Sequence, residues 1–303
     1  MWPPRDNRAH SMRFVHLLRH FPPLAWRAVA VALLFGGASG ARADWLAPLT
    51  VETATTLPSG QIDVALGASY FRNRRFPPFT PSGFIHSQNL TTVPELGLRA
   101  AVGGMVEIQA SYEFIDLDEN TQDGHHDTYG GGDARLFTKI YAVRERTWIP
   151  ALGVRFGTKL PNANASDRLG TDAIDFFIQA LGSKQVGPIA LHLNLGIALL
   201  DNPDGNGQDD LFTYAFGLVS PALALDAASE WGIRFLTEAA GQTGSRFSNN
   251  GNAVRAGLQV LHGGLTLYAG ASAGLNSAAE KYGVMGGAIY AFNVERLAAL
   301  FAE

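Results

Sequence analysis

Met105-Val106-Glu107-Ile108-Gln109-Ala110-Ser111-Tyr112-Glu113-Phe114 is the stretch that decides the fold. Val106, Ile108, Ala110, Tyr112 and Phe114 share one side of a period of two, with Glu107, Gln109, Ser111 and Glu113 opposite, which is the pattern of a half-buried strand. Comparable segments lie near 61–71, 94–102, 105–116, 132–142, 147–159, 174–184, 188–200, 211–221, 228–239, 253–262, 265–276 and 282–292. The chain therefore reads as all-β, a closed antiparallel transmembrane β-barrel of about 12 strands over 61–292. Closure lets such a sheet satisfy every backbone hydrogen bond while facing lipid.

Upstream, Arg5, Arg8, Arg13, Arg19 and Arg27 precede the apolar run 28–35, and Ala41-Arg42-Ala43 has the small-residue form of an export-signal cleavage site. The reading is a signal peptide over 1–43, then a periplasmic or luminal segment over 44–60, the barrel, and a tail over 293–303. Val294, Leu297, Leu300 and Phe301 in that tail have helical spacing. No run reaches the ~18 apolar residues of a transmembrane helix. Zero cysteines exclude disulfides and thiolate metal sites, and a net charge of −4 gives no footprint for nucleic acid.

The connections Gly103-Gly104, Arg144-Glu145-Arg146, Gln185-Val186-Gly187 and Gly263-Gly264 are tight, whereas 72–93, 117–131, 160–173, 201–210 and 240–252 are long and polar. Short periplasmic turns and long outer loops would put both termini in the periplasm of a bacterial outer membrane. Trp148, Trp231, Tyr141, Tyr290 and Phe292 then fall at periplasmic strand ends, and Tyr70, Tyr112, Phe114, Phe156, Phe176, Phe212 and Tyr214 at outer ends, as two aromatic girdles. A soluble barrel would alternate too, but the export signal, the loop asymmetry and the girdles favour the membrane.

With the apolar faces toward lipid, Asp63, Glu95, Arg99, Glu107, Glu113, Asp133, Arg135, Lys139, Arg155, Lys159, Asp175, His192, Arg234, Glu238 and Arg255 line the lumen. The opposite register would cost ~2–4 kcal/mol for each Arg or Lys at the bilayer midplane. Acids and bases are nearly balanced, which fits a paired network better than an ion-selective ring. Gly67, Gly97, Gly153, Gly157, Gly196, Gly232, Gly257, Gly270 and Gly274 share that inward face and read as room for a passage.

In the first long loop, Arg72, Arg74 and Arg75 adjoin Phe76, Phe79 and Phe84, a candidate outer capture loop for an apolar solute or a contact for lipopolysaccharide phosphate. Asp116, Asp118, Asn120, Asp123 and Asp127 are spaced like a calcium loop, and residues 201–207 with Asp209 more loosely. Thr121 stands where the EF-hand pattern needs glycine, so solvated turns are the simpler reading. His125-His126 beside Asp127 reads as polar surface, and neither metal nor cofactor is expected.

Gly131-Gly132-Asp133-Ala134-Arg135-Leu136, Gly153-Val154-Arg155-Phe156-Gly157-Thr158-Lys159-Leu160-Pro161, Leu169-Gly170-Thr171-Asp172, Asp175, Ser183-Lys184 and Val186-Gly187-Pro188 resemble the outer-membrane family labelled "MetA-pathway of phenol degradation". The opening Glu52-Thr53-Ala54-Thr55-Thr56-Leu57-Pro58-Ser59-Gly60 fits it as well, and Asp172 stands where that family often has a second glycine. The resemblance implies an outer-membrane channel or transporter for small aromatic or otherwise hydrophobic molecules, and no enzyme. Its partners would be outer-membrane lipid and lipopolysaccharide, the solute, and the barrel-assembly machinery. Gly287-Ala288-Ile289-Tyr290-Ala291-Phe292 looks like the closing signal such machinery reads. The alternatives are a structural or adhesive barrel and an outer-membrane lipid hydrolase. Against the hydrolase, His86-Ser87 lies in a loop and no histidine-serine motif is legible on a strand.

The export signal makes one direct prediction. N-terminal sequencing of protein recovered from membranes should begin at Asp44, and recovery of intact residues 1–43 would contradict it.

Overall fold

The computed structural model describes residues 49–74, 85–121, 124–201, 207–225, 230–246 and 250–294. The export-signal reading, residues 75–84 and the tail beyond Val294 lie outside them. Fourteen strands form one antiparallel sheet: β1 (Gln61–Arg72), β2 (Ile85–Val102), β3 (Val106–Thr121), β4 (Gly124–Gly131), β5 (Arg135–Val143), β6 (Ala151–Lys159), β7 (Asp175–Val186), β8 (Ile189–Leu200), β9 (Asp209–Val219), β10 (Leu223–Ala224), β11 (Trp231–Thr243), β12 (Asn252–His262), β13 (Leu265–Gly274) and β14 (Tyr282–Asn293). β1 pairs with β14 from Gln61↔Asn293 to Arg72↔Tyr282, so the sheet closes on itself. β4 pairs the far half of β3 and β5 its near half, so the two are one wall position interrupted at 132–134. β10 adds only a two-residue pairing to β11. The barrel has twelve wall positions.

Alternation decides which face is which. On β3, Glu107 is fully buried while its neighbour Ile108 is 43% exposed, and on β8 His192 is buried while Leu193 is 46% exposed. Val64, Leu98, Leu136, Val154, Ile178, Leu195, Phe216, Phe235, Leu258 and Leu267 extend the outward apolar surface around the barrel. A water-soluble barrel would bury that face; here the polar face is inside.

Several strand boundaries differ from the sequence reading. β2 begins at Ile85 and not near 94, because Pro94 reads as a strand breaker yet sits where the ladder shifts register between Thr92 and Glu95. The segment read as a loop over 117–131 is mostly a hairpin, with β3 and β4 extending past the wall and turning around Gly124 at φ 131°. The tight turn expected at 144–146 runs to Pro150, which leaves Trp148 92% exposed in the turn. Tyr141 does not join a girdle: it packs inward against Ala54, Ala151 and Leu181. Asp172, where the resembled family often has glycine, has φ 48° in the left-handed region that glycine favours.

The register predicts the cost of a misplaced charge. Ile108→Arg or Leu193→Arg should hinder assembly, by ~2–4 kcal/mol if each lies near the bilayer midplane, when refolding into vesicles is followed by heat-dependent gel migration. Normal folding of both variants would contradict the assignment of faces.

Candidate functional site in the barrel interior

All fifteen residues assigned to the lumen from the sequence are buried or half-buried. Nine of them form local ion pairs with one another. Arg99 holds Asp63 at 2.8 Å, Arg135 holds Glu113 at 2.7 Å, and Lys139 holds Glu107 at 3.1 Å. Lys159 lies 3.1 Å from both Asp133 and Asp175, and it also donates to the Thr171 hydroxyl. Arg255 approaches Glu280 at 3.6 Å, and Glu95 accepts from the Ser69 hydroxyl. Such pairing is what a buried charge needs to be tolerated.

The sequence reading missed what fills the space between these pairs. Residues 49–57 run inside the barrel and meet the wall strands in descending order. The Thr50 N–H and hydroxyl donate to the Glu238 carboxylate on β11, the hydroxyl at 2.6 Å. Asn194 on β8 clamps Glu52 from two sides: its carbonyl accepts from the Glu52 N–H at 2.7 Å and its amide donates to the Glu52 carbonyl at 2.8 Å. The Ala54 N–H donates to the Ser183 hydroxyl at 2.9 Å, and the Leu57 N–H to the Glu107 carboxylate at 2.9 Å. Val51 and Ala54 have no exposed surface.

The inward glycines therefore do not mark an empty passage along this path. A Cβ at Gly153 would come within 2.7 Å of the Ala54 carbonyl, one at Gly217 within 3.4 Å of Val51, and ones at Gly257 and Gly270 within 2.8 and 2.7 Å of Leu49. Glycine in these strands lets the inner segment approach the wall, with its backbone at Gly153 and with its Val51 and Leu49 side chains at the others. Gly67 is likewise covered, by the Tyr268 hydroxyl.

At the end carrying the long connections, residues 160–174 fold over the mouth. Leu169 joins Phe71, Leu90, Ile115 and Leu117 in an apolar cluster, with Ala163 and Met285 packed against it. Asp133 ties the segment down by accepting from the Ala163 N–H at 2.9 Å, and Arg168 reaches Glu119 at 2.6 Å. Leu117 points inward on the stretch read as a polar loop, and Ile115 does so on the strand just before it.

Of the proposed capture loop, Arg72 lies beside Tyr282, and the Arg74 guanidinium sits 4.3 Å from the centre of the Phe71 ring. Arg75, Phe76, Phe79 and Phe84 lie outside the described residues. Of the calcium-like spacing, Asp118 and Asp127 face each other across β3 and β4, with His125 3.5 Å from the first and 3.2 Å from the second. Asp123 lies outside the described residues. Asp209 is buried and accepts from the Ser245 hydroxyl and the Arg246 N–H.

Ser183 and His192 are brought together across the β7–β8 hairpin, with Oγ and Nδ1 2.8 Å apart. The sequence reading sought a histidine-serine motif along one strand and did not pair these two positions; His86-Ser87, which it placed in a loop, lies on β2. Counting outward from the Gly187 turn would have paired the two positions. The serine oxygen already accepts from Ala54, so the pair anchors the inner segment.

No family model matches the chain, and no curated protein matches it in sequence. Among solved structures, it is similar to an outer membrane channel from Pseudomonas putida F1, at 16% identity and a TM-score of 0.55, over 82% of this chain and 100% of that one. It is also similar to the translocator domain of the autotransporter NalP from Neisseria meningitidis, at 13% identity and a TM-score of 0.50, over 78% of this chain and 90% of that one. Both likenesses are of fold: a closed barrel of the outer-membrane kind.

The Asn194 clamp is testable by itself. Asn194→Ala removes two hydrogen bonds of about 1 kcal/mol each, a shift of roughly tenfold or more in the equilibrium that frees the segment. Protease cleavage within residues 49–57 should speed up accordingly while the barrel stays folded. Unchanged cleavage would show that the clamp does not hold the segment.

Proposed function

We propose that the chain is an outer-membrane channel for small solutes, with both termini in the periplasm and the long connections outside. One observation carries this reading: the closed sheet turns an apolar face outward and a charged face inward, the arrangement a lipid-embedded wall around a wet interior requires. The fold likeness to a protein described as an outer membrane channel supports it. The resemblance to the phenol-degradation family supports a small aromatic or otherwise hydrophobic cargo. Outer-membrane lipid, lipopolysaccharide and the assembly machinery are the partners this reading brings, with the export signal removed on the way.

A second reading, a structural barrel without transport, draws support from the inner segment, which occupies the lumen between Glu238 and Glu107. Planar-bilayer recording separates the two. The wild-type barrel should conduct weakly and the barrel lacking residues 49–57 several times more. A strain without the protein should also take up a sparingly soluble aromatic more slowly at limiting concentration, with recovery on complementation. Silence of both proteins together with unchanged uptake would overturn the channel reading in favour of the structural one.

A further inference from the structure

The Glu52 side chain is the one carboxylate in the interior network that belongs to the inner segment and not to the wall. Its Oε2 lies 3.4 Å from the Lys139 ammonium and 3.4 Å from the Gln109 amide nitrogen, and its Oε1 lies 3.9 Å from the Arg155 Nε. Both oxygens are thus addressed, by two cations and a neutral donor. The wall groups around it are otherwise closed. Lys139 has Glu107 at 3.1 Å and Arg99 has Asp63 at 2.8 Å.

Arg155 is different. Its wall partners are the side-chain oxygens of Gln109 at 2.8 Å and Gln179 at 3.1 Å, both neutral. Among the described residues Glu52 is the only carboxylate within ion-pair distance of it. Three cations (Arg99, Lys139, Arg155) face three carboxylates (Asp63, Glu107, Glu52), a sum of zero that becomes +1 when Glu52 withdraws. A buried guanidinium left without an anion is strongly unfavourable, so a vacated cradle calls for another one. The cradle also has an aromatic wall: the Arg155 guanidinium lies 3.5 Å from the centre of the Phe137 ring, and Phe137 is 5.7 Å from Phe177.

We propose that Arg155, Lys139 and Gln109 form a binding site for a small organic carboxylate, that Glu52 is its resident occupant, and that an incoming carboxylate loosens the inner segment by taking Glu52's place. A carboxylate answers two cations and the Gln109 amide, and the Phe137 ring beneath Arg155 adds an aromatic neighbour. The proposal rests on the channel reading for the solute's access and gives that reading a substrate class. A tethered carboxylate competes at an effective concentration on the order of millimolar, so the solute must be supplied in that range.

The absence of cysteine from the chain gives the test a clean reporter. Val51→Cys places a single thiol on the buried part of the segment, and the folded barrel in detergent is treated with a small water-soluble thiol reagent. Benzoate should raise the labelling rate about fivefold or more, the coupling expected when a ligand displaces a competing contact. Benzamide, and sodium chloride at matched ionic strength, should not. Arg155→Gln should abolish the benzoate increment. An equal response to benzamide, or a full response in Arg155→Gln, would overturn the proposal. Should the cysteine variant fail to fold, proteolysis of the unmodified chain replaces the labelling: benzoate should speed cleavage of residues 49–57, and an unchanged rate would overturn the proposal. Neither readout needs solute flux. Loss of the response with conductance intact overturns the carboxylate site alone, and a silent bilayer with unchanged uptake but the response intact supports the site while overturning the channel reading.

Discussion

Closure of the sheet by β1 against β14 is the constraint on which the rest of the molecule depends. A sheet with free edges would leave rows of unpaired N–H and C=O groups, each costly in an apolar surround, and closure removes them. Closure also divides every side chain between two environments. A slip of one residue on β3 would exchange Glu107 for Ile108 and turn a charge outward. The outward apolar surface and the inward charged one are thus a single fact seen from two sides.

An inward polar face brings its own requirement, since buried acceptors need donors. The wall meets part of it through pairs such as Arg99–Asp63 and Lys159 with Asp133 and Asp175. The inner segment meets another part with its backbone. Glu238, Asn194, Ser183 and Glu107 each accept an N–H from residues 49–57, groups that a free terminal strand would give to water. Segment and wall satisfy each other, and Glu52 adds the anion that Arg155 lacks.

Much of this was legible in the sequence, for physical reasons that also explain the rest. The period of two in 105–114 fixes the strand and its faces, because burial on one side and solvation on the other leave a pattern in residue type. Lumen charges such as Glu107, Lys139 and Arg155 follow from the same alternation. The inner segment left no such pattern: Thr53, Thr55 and Thr56 are small and polar enough for a loop, and their burial depends on strands far away in sequence. Glycine was ambiguous for a related reason. A missing side chain at Gly153 or Gly257 leaves room without saying whether that room is vacant or taken. The β3–β4 hairpin was hidden by acidic residues that also suit a turn, and the start of β2 by Pro94, which the ladder accommodates with a shift in register.

The central claim, that residues 49–57 are part of the folded interior and not a free terminal arm, is most directly tested by amide hydrogen exchange of the detergent-solubilised barrel. The account predicts that the N–H groups of Glu52, Ala54 and Leu57 exchange slowly, on the timescale of the barrel strands, since each donates to a wall side chain. Exchange of all three at the rate of an unstructured peptide would contradict it.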